Sequence, residues 1–180
     1  MSRLVRRNQM VFDFTKTPLV PPQLPAGYWF VPWSKNLTEA HGNVLHRSFQ
    51  DDIDGTIFTT FQQVNRCVSL IEMVAQSPSF LPETSLMTAT GTPDGLCEYV
   101  ATIQGLKLSD EIGAVQNVGV LSDYRQQGIG TNLVRAALQA FQNAGLKKVT
   151  LEATAENVPA MRMYSGIGFT TFNTYLREIF

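Results

Sequence analysis

The sequence predicts one α/β domain, a mixed sheet with helices on both faces, and three observations carry that prediction. Segments patterned as strands and helices run in the order β-α-α-β-β-β-α-β-α-β, with no internal repeat and no low-complexity stretch. A β-branched apolar run at 115–121 breaks at Ser122, Asp123 and Tyr124, then enters a glycine-bearing turn and an apolar helix. At 180 residues the chain can bury one good core and is too short for two comfortable domains. The organisation expected is an extended lead-in over 1–25 and a single domain over 26–180.

The lead-in contains Val11, Phe12 and Phe14, enough for a short edge strand, followed by Pro18, Pro21, Pro22 and Pro25, which forbid helix. Residues 27–33 are aromatic and β-branched and read as the first core strand. A helix is predicted over 36–49, with Asn36 as cap, Glu39 closing a capping box, and Leu37, Ala40, Val44, Leu45 and Phe49 on one face. His41 and His46 on this helix lack matching ligands and read as surface or core-edge residues. A second helix spans about 59–76, with Phe61, Val64, Val68, Ile71 and Ala75 inward. Strands at 85–90 and 96–106 form a hairpin through a turn at 91–95. After the central strand come a helix at 131–142 closed by Gly145, a strand containing Val149, Leu151 and Ala153, a short helix at 158–165, and a last strand at 169–179.

A net charge of −1 gives no general reason to expect a nucleic-acid or membrane partner. Cys67 and Cys97 sit among apolar residues without metal spacing and read as buried, reduced thiols. The acidic run Asp51, Asp52, Asp54 lacks the ligand spacing and terminal glutamate of a calcium loop, so no metal is expected. Arg3, Arg6 and Arg7 are not followed by an apolar run, so a secretory signal is not indicated, and a cytoplasmic location is expected.

The candidate binding element is the turn Arg125-Gln126-Gln127-Gly128-Ile129-Gly130 leading into Thr131. A helix start offers unpaired N–H groups and partial positive charge to an anion, and glycine lets a phosphate oxygen approach the backbone. One strand later, Asn157, Ala160, Tyr164, Gly168 and Phe169 stand at the spacing Asn-x-x-Ala-x-x-x-Tyr-x-x-x-Gly-Phe. The two motifs in this order resemble those of the GCN5-related N-acetyltransferase (GNAT) superfamily. The resemblance covers about 26–180 and implies a mostly antiparallel sheet that splays after the strand at Val115.

The resemblance also implies acetyl-CoA as co-substrate and direct acetyl transfer to a primary amine of a small molecule or a peptide N-terminus. Diphosphate binding falls to Arg125, Gln126, Gln127, Gly128, Ile129, Gly130 and Thr131, and pantetheine binding to main-chain groups of Val118, Gly119 and Val120 and to Asn157. Tyr164 is the candidate general acid. Histone-type members carry a glutamate on the central strand where this chain has Ala114. Glu98 is therefore the first candidate base and Glu152 the second. Asp51, Asp52 and Asp54 read either as a solvated turn or as a patch for the amine substrate, and homodimer formation is consistent with the resemblance.

Two alternatives stay open. One is a non-catalytic acyl-CoA-binding or sensing module. The other is a dinucleotide-binding oxidoreductase, whose glycine fingerprint Leu133 interrupts.

Overall fold

The computed structural model describes residues 3–91 and 95–179. The turn expected at 91–95 therefore lies partly outside the described residues. In chain order the elements are β1 (Arg3–Asp13), β2 (Tyr28–Pro32), α1 (Thr38–Phe49), α2 (Ile53–Ile57), α3 (Val64–Gln76), β3 (Leu86–Gly91), β4 (Cys97–Lys107), β5 (Ile112–Val120), α4 (Ile129–Asn143), β6 (Lys148–Thr154), α5 (Val158–Ile167) and β7 (Thr170–Ile179). They build one seven-stranded sheet in the order β2-β3-β4-β5-β6-β1-β7. Every neighbouring pair is antiparallel except β5 and β6. This is the mixed, mostly antiparallel, helix-flanked sheet that the sequence predicts.

The largest correction concerns the N-terminus. Instead of a short edge strand in a lead-in, β1 has 11 residues and lies between β6 and β7, paired with both. Its alternation explains the placement. Met10 and Phe12 point into the core with 1% and 0% exposure, and the Phe12 ring meets Phe14 and Phe169 edge-on at 5.2 and 5.6 Å. Arg7 and Gln9 take the opposite face. By contrast β2, read as a core strand, is an edge strand pairing only with β3, and Trp29 is exposed.

Helices cover the sheet on two sides. On one side, His41 of α1 is fully buried and hydrogen-bonds Thr102 and Gln104 of β4 at 2.8 and 3.2 Å, so it is a core residue rather than a surface one. Burial pushes its pKa down to about 4. On the other side α4 buries Ile129, Leu133, Val134, Ala137, Leu138 and Phe141, which share one helical face.

Three local expectations change. A 3-10 turn over Lys35–Leu37 precedes α1, so Asn36 does not cap it and no capping box forms. The second helix breaks at Gln63 between a 3-10 turn and α3, leaving Val64 exposed while Cys67 and Ile71 face inward. Cys97 is exposed: it is the first residue of β4 and stands opposite Gly91, which has no side chain to cover it.

Two outcomes follow from this packing. Phe12→Ala removes a fully buried ring from a strand with neighbours on both sides and is expected to cost about 3–5 kcal/mol, read from the denaturant midpoint. Burial pushes the Cys67 thiol up to about 11. A thiol reagent at neutral pH is therefore expected to label Cys97 rapidly and Cys67 only on unfolding, as read by mass spectrometry.

Candidate functional site

The site is set by where β5 and β6 stop pairing. Their parallel ladder holds for Ile112, Gly113 and Ala114 against Lys148, Val149 and Thr150, and then the strands part. On the far side β5 stays paired with β4 but slips register, Gln116 facing Gln104 and Gly119 facing Thr102. The extra residue makes a bulge, in which Asn117 takes φ 49°. Leu121 N–H donates to Val100 O at 2.9 Å, so it faces β4; by strand alternation the Val120 peptide group faces the opening. The result is a cleft of about 1000 Å³ with Val115–Val120 on one wall and Thr150, Leu151, Glu152 and Ala153 on the other.

At the mouth of the cleft the chain makes its glycine turn. Gly128 has φ 80°, the left-handed conformation that a side chain resists, and it precedes the first turn of α4. The first helical bond runs from Asn132 N to Gly128 O at 3.0 Å, which leaves the N–H groups of Ile129, Gly130 and Thr131 without a helical acceptor. Of the residues assigned to a cofactor, Val118, Gly119, Val120, Arg125, Gln126, Gly128, Ile129, Gly130, Thr131, Asn157 and Tyr164 line the cleft. Gln127 does not; its side chain turns outward, accepting from the Tyr28 hydroxyl at 3.0 Å.

Arg125 is less free than its sequence position suggests. Its Nε donates to Val120 O at 3.0 Å and a terminal nitrogen donates to Ser48 O. Its other terminal nitrogen lies 3.8 Å from Asp52. Gly119 makes this bracing feasible, since a Cβ there would stand 2.9 Å from Ser48 and hold α1 away from β5.

Asp52 and Asp54 do not form a solvated turn. Asp52 caps α2, accepting from Asp54 N at 3.0 Å, and both carboxylates turn into the cleft. The Asn157 amide donates to both, at 3.1 and 3.0 Å, and Thr154 donates to Asp54. Arg7 stands 4.0 Å from Asp54. Burial raises the pKa of Asp52, partly offset by its hydrogen bond from Asp54 N. Asp51 is exposed and lies outside this cleft, beside Arg47, Gln50 and Ser122.

Tyr164 lies on the cleft wall at 8% exposure, its ring edge-on to Phe169 at 5.9 Å. Burial first, and the charge of Asp54 second, push its pKa above the usual phenol range, so the hydroxyl keeps its proton at neutral pH. Asn157 caps α5 through Oδ1, which accepts from Ala160 N at 3.3 Å.

Glu98 is corrected: it does not line the cleft. It accepts from the Tyr124 hydroxyl at 2.6 Å and from Arg47 at 3.1 Å, and these bonds, Tyr124's first, hold its carboxyl below the usual range. Glu152 does line the cleft, accepting from Gln9 at 2.8 Å and Tyr175 at 2.9 Å. Sequence reasoning missed Arg7, Gln9, Asn117 and Arg177, all on the cleft wall. The Asn117 amide nitrogen is buried without a partner among the described residues. No local pattern marked Arg7 and Gln9, which sit in the unbroken polar run from Arg6 to Gln9.

Comparison with known proteins agrees with this geometry. The model of the Acetyltransferase (GNAT) family matches residues 86–169, which include the glycine turn and the motif from Asn157 to Phe169. Over 65 residues the chain is 32% identical to N-alpha-acetyltransferase 30 of Schizosaccharomyces pombe, covering 36% of this chain and 43% of that protein. Over 68 residues it is 37% identical to mycothiol acetyltransferase of Corynebacterium glutamicum, covering 38% of this chain and 23% of that protein. These matches therefore span less than half of either relative. The GCN5-related N-acetyltransferase from Sphaerobacter thermophilus has the same fold, with a TM-score of 0.73 at 21% identity over 98% of this chain and 52% of that one. With the splayed sheet and both motifs in place on it, residues 86–169 match the Acetyltransferase (GNAT) family and the chain has the fold of a GCN5-related N-acetyltransferase.

Proposed function

We propose that the protein transfers an acetyl group from acetyl-CoA to a primary amine of a small molecule or a peptide N-terminus. The observation that carries this reading is the wedge between β5 and β6, with a left-handed glycine turn at its mouth and a protonated phenol on its wall. Acetyl-CoA supplies the acetyl group as a thioester with an electrophilic carbonyl. The N–H groups of Ile129, Gly130 and Thr131 would hold its diphosphate. Main-chain groups of Val118 and Val120 would hold the pantetheine arm as a neighbouring strand would. Asn157 would join them when its amide exchanges Asp52 or Asp54 for the ligand.

The chain's own groups then divide the work. A backbone N–H at the bulge stabilises negative charge developing on the thioester oxygen. Tyr164 donates its proton to the departing sulfur, a role suited to a phenol that burial keeps protonated. Asp52 and Asp54 attract the protonated amine. Glu152, which lines the cleft, replaces Glu98 as the carboxylate that accepts the amine's proton. Holding both reactants in one cleft supplies the remaining advantage.

Two measurements test the reading. Acetyl-CoA at about a hundred times its Kd is expected to stabilise the protein by about 2.7 kcal/mol, raising its Tm by several degrees, whereas NADH leaves it unchanged. Failure of acetyl-CoA to raise Tm would overturn the reading; a rise without thiol release in the presence of any amine would make the chain a binding module instead. Where turnover is found, Tyr164→Phe keeps the aromatic packing but lacks the proton, and kcat is expected to fall roughly 10²–10⁴-fold. An unchanged kcat would remove Tyr164 from the mechanism.

A further inference from the structure

The arginines of the cleft differ in how their charge is met. Arg125 lies 3.8 Å from Asp52 and donates to two main-chain carbonyls. Arg7 lies 4.0 Å from Asp54 and donates to Thr154 and to Glu152 O. Arg177 also lines the cleft, but has no carboxylate partner and no side-chain hydrogen bond among the described residues. What holds it is Phe58, whose ring centroid lies 5.6 Å from its guanidinium carbon, with Arg7 at 5.2 Å from the same ring.

Register explains why these groups meet. Tyr175 stands opposite Arg7, and Arg177 opposite Val5, so Arg7, Tyr175 and Arg177 share one face of the β1–β7 pair. Phe58 reaches that face from the end of α2. Glu152, Arg7 and Arg177 all act electrostatically on the Tyr175 hydroxyl, so the uncompensated guanidinium lies in the same neighbourhood as the carboxylate proposed to take the amine's proton.

Resting on the acetyltransferase reading, we infer that the acceptor carries a carboxylate as well as its amine, and that Arg177 binds the carboxylate. A guanidinium held over an aromatic ring leaves its N–H donors unspent, and these fit a carboxylate with two parallel hydrogen bonds. Asp54 and Glu152 nearby favour a singly charged anion over a doubly charged phosphate, because each adds repulsion. The acceptor class is therefore a zwitterion: an amino acid, an ω-amino acid or a short peptide, its ammonium end toward the acidic residues and its carboxylate end toward Arg177.

The test pairs acids with neutral amides. Free-thiol release from acetyl-CoA is measured for α-amino acids, dipeptides and a ladder of ω-amino acids from glycine upward, each beside its carboxamide. The acid is expected to exceed its amide in kcat/KM by about tenfold or more in the best pair, as for loss of a hydrogen bond to a charged group. Arg177→Gln is expected to bring that ratio toward one through KM, and Arg177→Lys to restore part of it. Equal turnover of acids and amides, or a ratio that Arg177→Gln does not move, would overturn this inference and leave the acetyltransferase reading standing. No thiol release with any amine, acid or amide, would overturn that reading and this inference with it.

Discussion

The divergence of β5 from β6 is the constraint on which the rest of this structure depends. A parallel pair could continue along the whole of β6, yet pairing ends after Ala114 and Thr150. Two features keep it from resuming. The bulge at Asn117 twists β5 while preserving its ladder to β4. On the other side β6 pairs with β1 along its full length, from Lys148 to Thr154. Each strand therefore satisfies one edge and leaves the other facing the cleft. An open sheet edge inside a protein carries unpaired N–H and C=O groups, which an extended ligand can complete.

The acidic residues of α2 hold the two sides of that cleft together. Asp52 reaches Arg125 beside β5 and Asn157 at the start of α5, while Asp54 reaches Thr154 of β6 and Arg7 of β1. Buried charge is costly unless met by donors and counter-charges, and here every partner is charged or an amide or hydroxyl donor. The same network fixes the electrostatics around Tyr164, since Asp54 and Asp52 raise its pKa while Arg7 lowers it. Moving α2 would disturb Arg125, the amide at the cap of α5 and the phenol together.

The parts of this architecture that were legible in the sequence are those fixed by local backbone demands. Gly128 announces a left-handed turn, Asn157 a cap and Pro159 a first helical turn, and each is where the spacing placed it. What was illegible depends on distant partners. Nothing near Asp52 and Asp54 signals that their partners are Asn157 and Thr154, 100 or more residues later, and Arg7 in the first strand. Strand alternation does not say which face of β4 looks into a cleft, and Tyr124 holds Glu98 outside it. In β1 the polar residues Arg6, Arg7, Asn8 and Gln9 hid an interior strand, because one face of this part of the sheet lines a polar cleft and the other meets α5 through Asn8 and Met161.

This polar face of β1 also resolves why an interior strand can afford so little apolar character. Interior position in a sheet concerns hydrogen-bonding neighbours in the plane; burial concerns what packs above and below. Met10 and Phe12 supply the apolar anchoring on the core side, where Phe12 meets Phe169 at the end of the second motif. On the other side, Arg7 and Gln9 need water, a ligand or polar side chains, and they find Thr154 and Glu152. The strand least recognisable as part of the fold thus brings charge to the site while locking in place the residue, Phe169, that packs against Tyr164.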